Sequence, residues 1–306
     1  MKRLFVAIAA LGLSAAVAAA QDFNAAVDAF NAAAQALESD KAAALAKFQE
    51  ALPLFEACEE EEAAEKVAEC KRLIPNIMFS MAKEQIKESN FDAALELLNQ
   101  AQAVAAQYEQ AETEADIKDF VPKTYTMKAN ALMKAKDFAG AIPVLQQVIA
   151  LNPEDGKSYM LLGQAQLQSG ASEEAIASLE KAAELGENTA KLLSTTYLKK
   201  GMALVKAGKN AEAIEALEKS NSYVESANAY KLIASSYTKS GKSAQAIEAY
   251  KKYLELDPNA KDAADILFTI AATAQKAGDK ATAKEYYGKL AGTKYAAQAE
   301  AQLKTL

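Results

Sequence analysis

The 306-residue chain has no histidine and no tryptophan, and it contains only two cysteines, six prolines and twelve glycines. Without histidine it lacks the commonest general base and the commonest metal ligand of enzymes. No serine or cysteine stands in a nucleophile motif, and no glycine-rich phosphate-binding loop is present. We therefore expect a protein that is not an enzyme and that holds neither a cofactor nor a metal ion.

The charge balance is acidic, with 34 basic residues against 41 acidic ones and a net charge of −7. Proteins that bind nucleic acids favour a basic surface, so we expect no nucleic-acid partner. The chain is 51% hydrophobic and 25% charged, which is typical of packed helices rather than of a disordered chain.

The first twenty residues have the composition of a signal peptide. Lys2 and Arg3 precede an apolar run over residues 4–17, and three small residues, 18–20, follow it. This pattern predicts Sec-type export to the periplasm with cleavage after Ala20. Removal of the two basic residues from the 34 leaves 32 against 41 acidic residues, a net charge of −9, and no apolar run that could span a membrane. An uncleaved membrane anchor is the alternative.

A helix-turn-helix pattern recurs seven times, each time with a small residue near the start of its second helix. The later copies of this residue are 34, 38, 33 and 37 positions apart, a period that indicates a helical solenoid. The seven residues are Ala44, Ala94, Ala141, Ala175, Ala213, Ala246 and Ala283.

The clearest copy shows how each repeat is built. Tyr159 and Gly163 share one face of a first helix, Gly170 ends that helix, and Ala175 and Leu179 form the apolar stripe of the second. Small residues at Gly163 and Ala175 allow the two helices to approach closely. Because a single hairpin cannot bury its apolar face, the repeats are expected to stack.

Glycines mark the same turn in the later repeats, at Gly208, Gly241 and Gly278. Asn210 and Asp279 follow two of these turns and are predicted to cap the next helix.

With these residues, the chain resembles the tetratricopeptide repeat family over residues 24–293, and residues 294–306 resemble a terminal capping helix. The chain lacks the tryptophan of the family pattern, and tyrosine takes its place in four repeats. The resemblance implies an all-α solenoid, a right-handed superhelix of about seven repeats. Its concave groove, lined by first helices, would hold a peptide or partner protein.

The early repeats are longer, with 50 and 47 residues between successive alanines. We therefore expect a signal peptide over 1–20, repeats with lengthened hairpins over 21–121, and regular repeats with the capping helix over 122–306. Pro75 and Pro122 predict long helices interrupted at proline. The extensions could form a binding edge or could serve only to stabilise the terminus.

Cys58 and Cys70 lie in an insertion between the first two repeats. In an oxidising compartment they would form a disulfide worth about 3 kcal/mol in the chain-entropy treatment. A redox pair is disfavoured because there is no C-x-x-C motif. Metal binding with Glu59–Glu62 is disfavoured because the thiols would be oxidised and no histidine could assist.

The predicted groove carries a mixture of polar and apolar side chains. Its members are Thr126, Asn130, Met160, Gln164, Leu198, Met202, Lys231, Ser235, Phe268 and Ala272. Asn130 matches one position of the family's carboxylate clamp for chaperone peptides, but Thr126 and Leu161 stand where the clamp needs Lys and Asn. A chaperone C-terminus is therefore not expected as the ligand.

Five lysines recur near the end of first helices, namely Lys87, Lys134, Lys206, Lys239 and Lys276. They suit helix C-termini, where positive charge is worth a few tenths to about 1 kcal/mol. The alternative is a row of lysines that binds acidic partners.

The resemblance implies a non-catalytic scaffold that binds a protein or peptide, and the signal peptide adds the expectation that it acts in a bacterial cell envelope. Two alternatives stay open. One is a peptide- or glycan-binding module that uses Phe268, Tyr125 and Tyr159. The other is a homo-oligomeric structural subunit that associates through its N-terminal hairpins.

Overall fold

The computed structural model describes residues 23–58 and 61–306, so the predicted signal peptide lies outside the described residues. Within these ranges the chain is all-α and has no β-strand. None of the helices in this part of the chain is long and apolar enough to cross a membrane. The predicted all-α solenoid is confirmed.

Fifteen helices follow one another in the described residues, and the chain divides into two compact units between Lys128 and Ala129, within α5. The helices of the first part are α1 Phe23–Ala36, α2 Lys41–Glu56, α3 Glu61–Lys87, α4 Phe91–Gln107 and α5 Ala111–Lys134. Those of the second are α6 Phe138–Leu151, α7 Gly156–Ser169, α8 Ser172–Glu184, α9 Ala190–Lys206, α10 Asn210–Tyr223, α11 Ala227–Lys239, α12 Ser243–Leu256, α13 Ala263–Lys276, α14 Lys280–Gly288 and α15 Ala296–Leu303.

Consecutive helices pair as hairpins. In the first unit α1 packs on α2 and α3 on α4. In the second unit α7 packs on α8, α9 on α10, α11 on α12 and α13 on α14, and α15 packs against α14 as the predicted capping helix. Six of the seven predicted hairpins are therefore present as packed helix pairs. A three-residue turn joins α5 to α6.

The seven repeat alanines occupy the interior of these hairpins, and each is completely buried. Gly163 shows why small residues are needed there. A Cβ added to Gly163 would lie 2.6 Å from Cγ of Leu179, and one added to Gly201 would lie 2.5 Å from Cγ of Leu217. The helices of these two hairpins are therefore closer than any larger residue would allow.

The predicted turn glycines have the left-handed backbone that favours glycine, with φ of 88° at Gly170 and 82° at Gly278. Asp279 accepts a hydrogen bond from the backbone N–H of Thr282 at 3.0 Å, so its predicted capping role is confirmed. The prediction for Asn210 is wrong. Lys209 is the N-cap of α10, and Asn210 is already the first residue of the helix.

The predicted long helices are present, but the expected interruptions are not. α3 has 27 residues and runs through Pro75, and α5 has 24 residues and runs through Pro122. Pro75 is buried between the fully buried Ile74 and the apolar Ile77, so side-chain packing holds the helix where one backbone hydrogen bond is missing.

The extensions of α3 and α5 belong to the core of the first unit. Ala63 and Cys70 on α3 and Ile117 on α5 are buried in one apolar cluster. Phe120 packs edge-on against Phe79, with ring centroids 5.3 Å apart. These contacts favour the interpretation that the extensions stabilise the N-terminal repeats.

The expected Cys58–Cys70 disulfide is not found in the described residues. The Cys58 thiol, just beyond α2, donates a hydrogen bond to the carbonyl oxygen of Leu54 at 3.2 Å. Cys70 lies fully buried on α3. Burial, aided by the nearby Glu69 carboxylate, raises the pKa of the Cys70 thiol to about 11. The thiolate that disulfide formation requires is therefore disfavoured at this position.

Candidate interaction surface

The first helices of the second unit, α7, α9, α11 and α13, carry eight of the ten predicted groove residues. The other two, Thr126 and Asn130, lie on α5. Thr126 is half-buried and its hydroxyl donates to the carbonyl oxygen of Pro122 at 3.0 Å, whereas Asn130 is exposed.

The apolar part of this surface lies on α7 and α9. Met160 packs against the buried cluster that contains Leu179 and Leu193, and Leu198 packs against the larger core of the second unit. Met202 follows Leu198 by one helical turn and is 38% exposed. A large apolar side chain is therefore open to solvent in the middle of α9, beside apolar neighbours that are only partly covered.

The remaining small or polar groove residues are half-buried on three different helices. They are Gln164 on α7, Ser235 on α11 and Ala272 on α13. None is large enough to obstruct a chain lying across the first helices.

Lys231 interacts with other side chains of the same chain. Its ammonium pairs with the Asp262 carboxylate at 2.5 Å and lies 5.6 Å from the centroid of the Tyr253 ring. The Tyr253 hydroxyl donates to the same carboxylate at 2.5 Å. These two hydrogen bonds hold the pKa of Asp262 below its usual value. Burial and the bond to Asp262 raise the pKa of Tyr253 to about 12.

Phe268 also has partners within the fold. Its ring stacks on Tyr295 at a centroid distance of 4.7 Å and meets Tyr287 edge-on at 5.7 Å. Tyr125 packs against the core of the first unit. Two of the three aromatic residues considered for a glycan site are therefore used in packing.

Sequence reasoning missed a carboxylate shared by three helices. Glu180 on α8 accepts hydrogen bonds from Tyr197 of α9 at 2.9 Å and Tyr223 of α10 at 3.1 Å, and Lys219 lies 3.8 Å away. The two tyrosine rings stack at 6.0 Å. Burial and then the bond to Glu180 raise the pKa of both tyrosines. The partners are 17 and 43 residues from Glu180, so helical periodicity gives no signal for them.

A cleft of about 270 Å³ lies between α9 and α10. Its lining residues are Tyr197, Lys200, Leu204, Glu212, Glu215 and Ala216. Lys200 is paired with Glu173 at 2.8 Å, so the cleft contains charges of both signs that are already partly neutralised. It is smaller than the roughly 300–1,000 Å³ of small-molecule sites and would accept a single side chain.

The five lysines of the predicted row are all exposed, and each is the last residue of its helix, on α3, α5, α9, α11 and α13. Within the described ranges, the salt bridges include none of the five. Over the same residues, no group of three or more cysteine, aspartate or glutamate side chains is placed to hold a metal ion.

Three family models with the description tetratricopeptide repeat match the chain, over residues 126–189, 194–223 and 227–260. These stretches of the chain match tetratricopeptide repeats. The matched residues begin in α5 and end just after α12, so they include α6 to α12 but not the hairpin of α13 and α14. No curated protein matches the chain significantly.

Solved structures resemble parts of the chain. A crystal structure of MamA is 24% identical, covers 56% of this chain and 90% of its own, and superposes with a TM-score of 0.35. MamA from Desulfovibrio magneticus RS-1 is 21% identical, with coverages of 55% and 92% and a TM-score of 0.33. YrrB, described as a TPR protein with an unusual peptide-binding site, is 19% identical, with coverages of 64% and 97% and a TM-score of 0.35. Superpositions this weak carry no functional argument.

Proposed function

We propose that this chain is a non-catalytic interaction scaffold that binds a protein or peptide segment across the first helices of its second unit. The observation that carries the proposal is the exposure of Met202 in the middle of α9, one turn from Leu198. The other exposed large apolar side chains of the described residues, Leu151, Val224 and Leu256, lie at or just beyond the ends of second helices, whereas Met202 lies on a first helix. This exposure supports a surface that a partner covers.

Neighbouring side chains support the same surface. Met160 on α7 adds flexible apolar area, and methionine adapts to partners of different shape. Gln164 and Ser235 offer hydrogen-bonding groups to a bound backbone. The ammonium of Lys231, by contrast, is already paired with Asp262.

Photocrosslinking from single positions tests this proposal. A photoreactive amino acid at Met202 is expected to capture a defined protein in cells that make the chain. The same group at Lys199, an exposed residue on the same helix, serves as the control. Equal capture from both positions, or capture from Lys199 alone, contradicts binding at this surface.

Binding is then measured with the captured partner and purified chain. The double variant L198D/M202D is expected to weaken binding by at least tenfold, because two buried apolar contacts are worth more than 1.4 kcal/mol together. K199D should bind as the unaltered chain does. Unchanged binding by L198D/M202D would mean that the partner lies elsewhere.

We also propose that the chain acts outside the cytoplasm of a bacterial cell, after export and cleavage following Ala20. The basic start at Lys2 and Arg3 and the apolar run of residues 4–17 support this proposal. Cell fractionation with intact-mass measurement tests it. A periplasmic protein whose mass begins at Gln21 is expected, whereas a cytoplasmic protein that retains Met1 and the apolar run would refute export.

A further inference from the structure

The hairpins of the second unit have two chemically different ends. Their helices are antiparallel, since Gly163 faces Leu179 and, nearer the turn, Ser178 donates a hydrogen bond to Gln166 at 2.7 Å. Turns within hairpins therefore lie at one end of the helices, and loops between hairpins lie at the other.

We define each end by its connecting segments together with the last residue of the preceding helix. The turn edge consists of residues 134–137, 169–171, 206–209, 239–242 and 276–279. The loop edge consists of the loops between hairpins, residues 151–155, 184–189, 223–226 and 256–262. The segment that follows α14, residues 288–295, lies at the same end and adds Lys289 and Lys294, which are paired with Glu285 and Asp265.

The turn edge is basic, with seven lysines against two aspartates, Asp137 and Asp279. All seven lysines are exposed. They are Lys134, Lys136, Lys206, Lys209, Lys239, Lys242 and Lys276.

The loop edge is acidic, with seven carboxylates against a single lysine, Lys261. The carboxylates are Glu154, Asp155, Glu184, Glu187, Glu225, Asp257 and Asp262. The same edge exposes three large apolar side chains, with Leu151 at 50%, Val224 at 45% and Leu256 at 44%.

Few of these charges are neutralised within the chain. On the turn edge, Lys209 pairs with Glu212 at 3.2 Å. On the loop edge, Glu184 pairs with Lys181 and Asp262 with Lys231. Within residues 23–58 and 61–306, Glu154 and Asp257 form no ion pair. Both edges therefore present uncompensated charge to solvent.

We propose that the occupant of each edge is a second copy of this chain, with the turn edge of one copy on the loop edge of the next. The two edges of one copy carry opposite net charge, so the turn edge of one copy is electrostatically complementary to the loop edge of the next. Leu151 and Leu256 would lose exposed apolar area in that contact, which adds a hydrophobic contribution. This assembly does not depend on the binding surface around Met202.

The contact is heterologous, so it produces rings or open chains of copies rather than a closed two-fold dimer. Exposed ion pairs are worth about 0–1 kcal/mol each and are screened by salt. Association should therefore be strong at about 0.01 M salt, where the screening length is about 30 Å, and lost at about 1 M, where it is about 3 Å.

Charge reversal on the full chain tests the proposal by analytical ultracentrifugation at low salt. K209E/K242E leaves the turn edge with five lysines against four carboxylates, and E184K/D257K leaves the loop edge with five carboxylates against three lysines, so each variant removes most of the net charge of one edge. All four changes suit the local helix, because Lys209 and Lys242 are N-caps, Glu184 ends α8 and Asp257 is the C-cap of α12. K199E/K284E, on exposed residues in the middle of α9 and α14, is the matched control.

The expected result has three parts. The unaltered chain and the control associate with rising concentration, and each edge variant alone associates much more weakly. An equimolar mixture of the two edge variants regains association, because each variant supplies one unaltered edge. A chain that is monomeric at low salt at every concentration overturns the proposal. So does association that both edge variants retain undiminished. A monomeric chain that binds polyglutamate through Lys209 and Lys242 would assign the turn edge to an acidic partner instead.

Discussion

Gly163 of α7 lies against Leu179 of α8 so closely that a Cβ on the glycine would stand 2.6 Å from the leucine Cγ and 3.2 Å from the carbonyl oxygen of Ala175. The helix-helix distance in this hairpin is therefore set by the absence of a single carbon. Gly201 and Leu217 repeat the relationship in the next hairpin.

Gly163→Ala is expected to destabilise the second unit by about 1–3 kcal/mol, because the added methyl group overpacks a buried contact. Chemical denaturation followed by circular dichroism measures the change. Gly288→Ala is the control, since an added Cβ there meets nothing within 4 Å and removes glycine flexibility from the end of a helix. Equal stability of the two variants would contradict the close-packing argument.

Ile117→Ala tests the role of the α5 extension. Ile117 is completely buried in the core of the first unit, so truncation should cost about 2–5 kcal/mol. Asp116→Ala, at the exposed neighbouring residue, should change the free energy of unfolding by less than about 0.5 kcal/mol. If the extension served only to bind a partner, both variants would be equally stable.

Asp262→Asn removes the charge that Lys231 and Tyr253 share, and we expect a loss of about 1–2 kcal/mol at neutral pH. The folded pKa of Asp262 lies below its unfolded value, so this contribution is present above about pH 4 and is lost as the pH falls through the folded pKa. Urea denaturation across pH should therefore show a shallower acid dependence in the variant.

The contribution of Tyr253 to stability changes with pH in the opposite direction, because it is lost as the pH rises. Its folded pKa of about 12 exceeds the unfolded value of about 10, so its stabilisation is complete below pH 10 and disappears between about 10 and about 12. Tyr253→Phe should make this alkaline loss shallower without removing it, because the pKa values of Tyr197 and Tyr223 are also raised. Unfolding titrations between about pH 9 and about pH 12 measure the difference. An unchanged alkaline dependence would place the responsible tyrosine elsewhere.

Thiol labelling decides the state of the cysteines. Cys70 is buried with a pKa near 11, so without a disulfide it should react with iodoacetamide only after the first unit unfolds. Labelling of Cys70 in denaturant without reductant is the expected outcome. If neither cysteine reacts in denaturant until reductant is added, the disulfide forms in the protein as isolated.

The repeat architecture could be predicted from the sequence because its determinants are local. Ala175, Gly170 and Leu179 lie within ten residues of one another, and helical periodicity and turn chemistry place them correctly. The pair Lys231–Asp262 could not be predicted in this way, because its members are 31 residues apart on different hairpins. Helical periodicity predicted that Lys231 faces the groove, but it gave no indication that Lys231 pairs with Asp262.

The predicted interruption of α3 at Pro75 was wrong for a related reason. A local rule ends or kinks a helix at proline, whereas burial of Ile74 and its neighbours maintains it. Asn210 shows the limit of capping rules in the same way, since a shift of one residue moved the cap to Lys209. The exact ends of helices and the side-chain pairs between distant residues could therefore be identified only from the structure.

Because helices of the second unit contact mainly their neighbours in sequence, contacts such as Gly163 with Leu179 close short stretches of chain. Ordering such short stretches costs little loop-closure entropy, so the second unit should fold rapidly and could start from any of its hairpins. A newly synthesised hairpin would also need only its predecessor in order to dock. The unit can therefore acquire structure progressively, while the rest of the chain is still being made or transported.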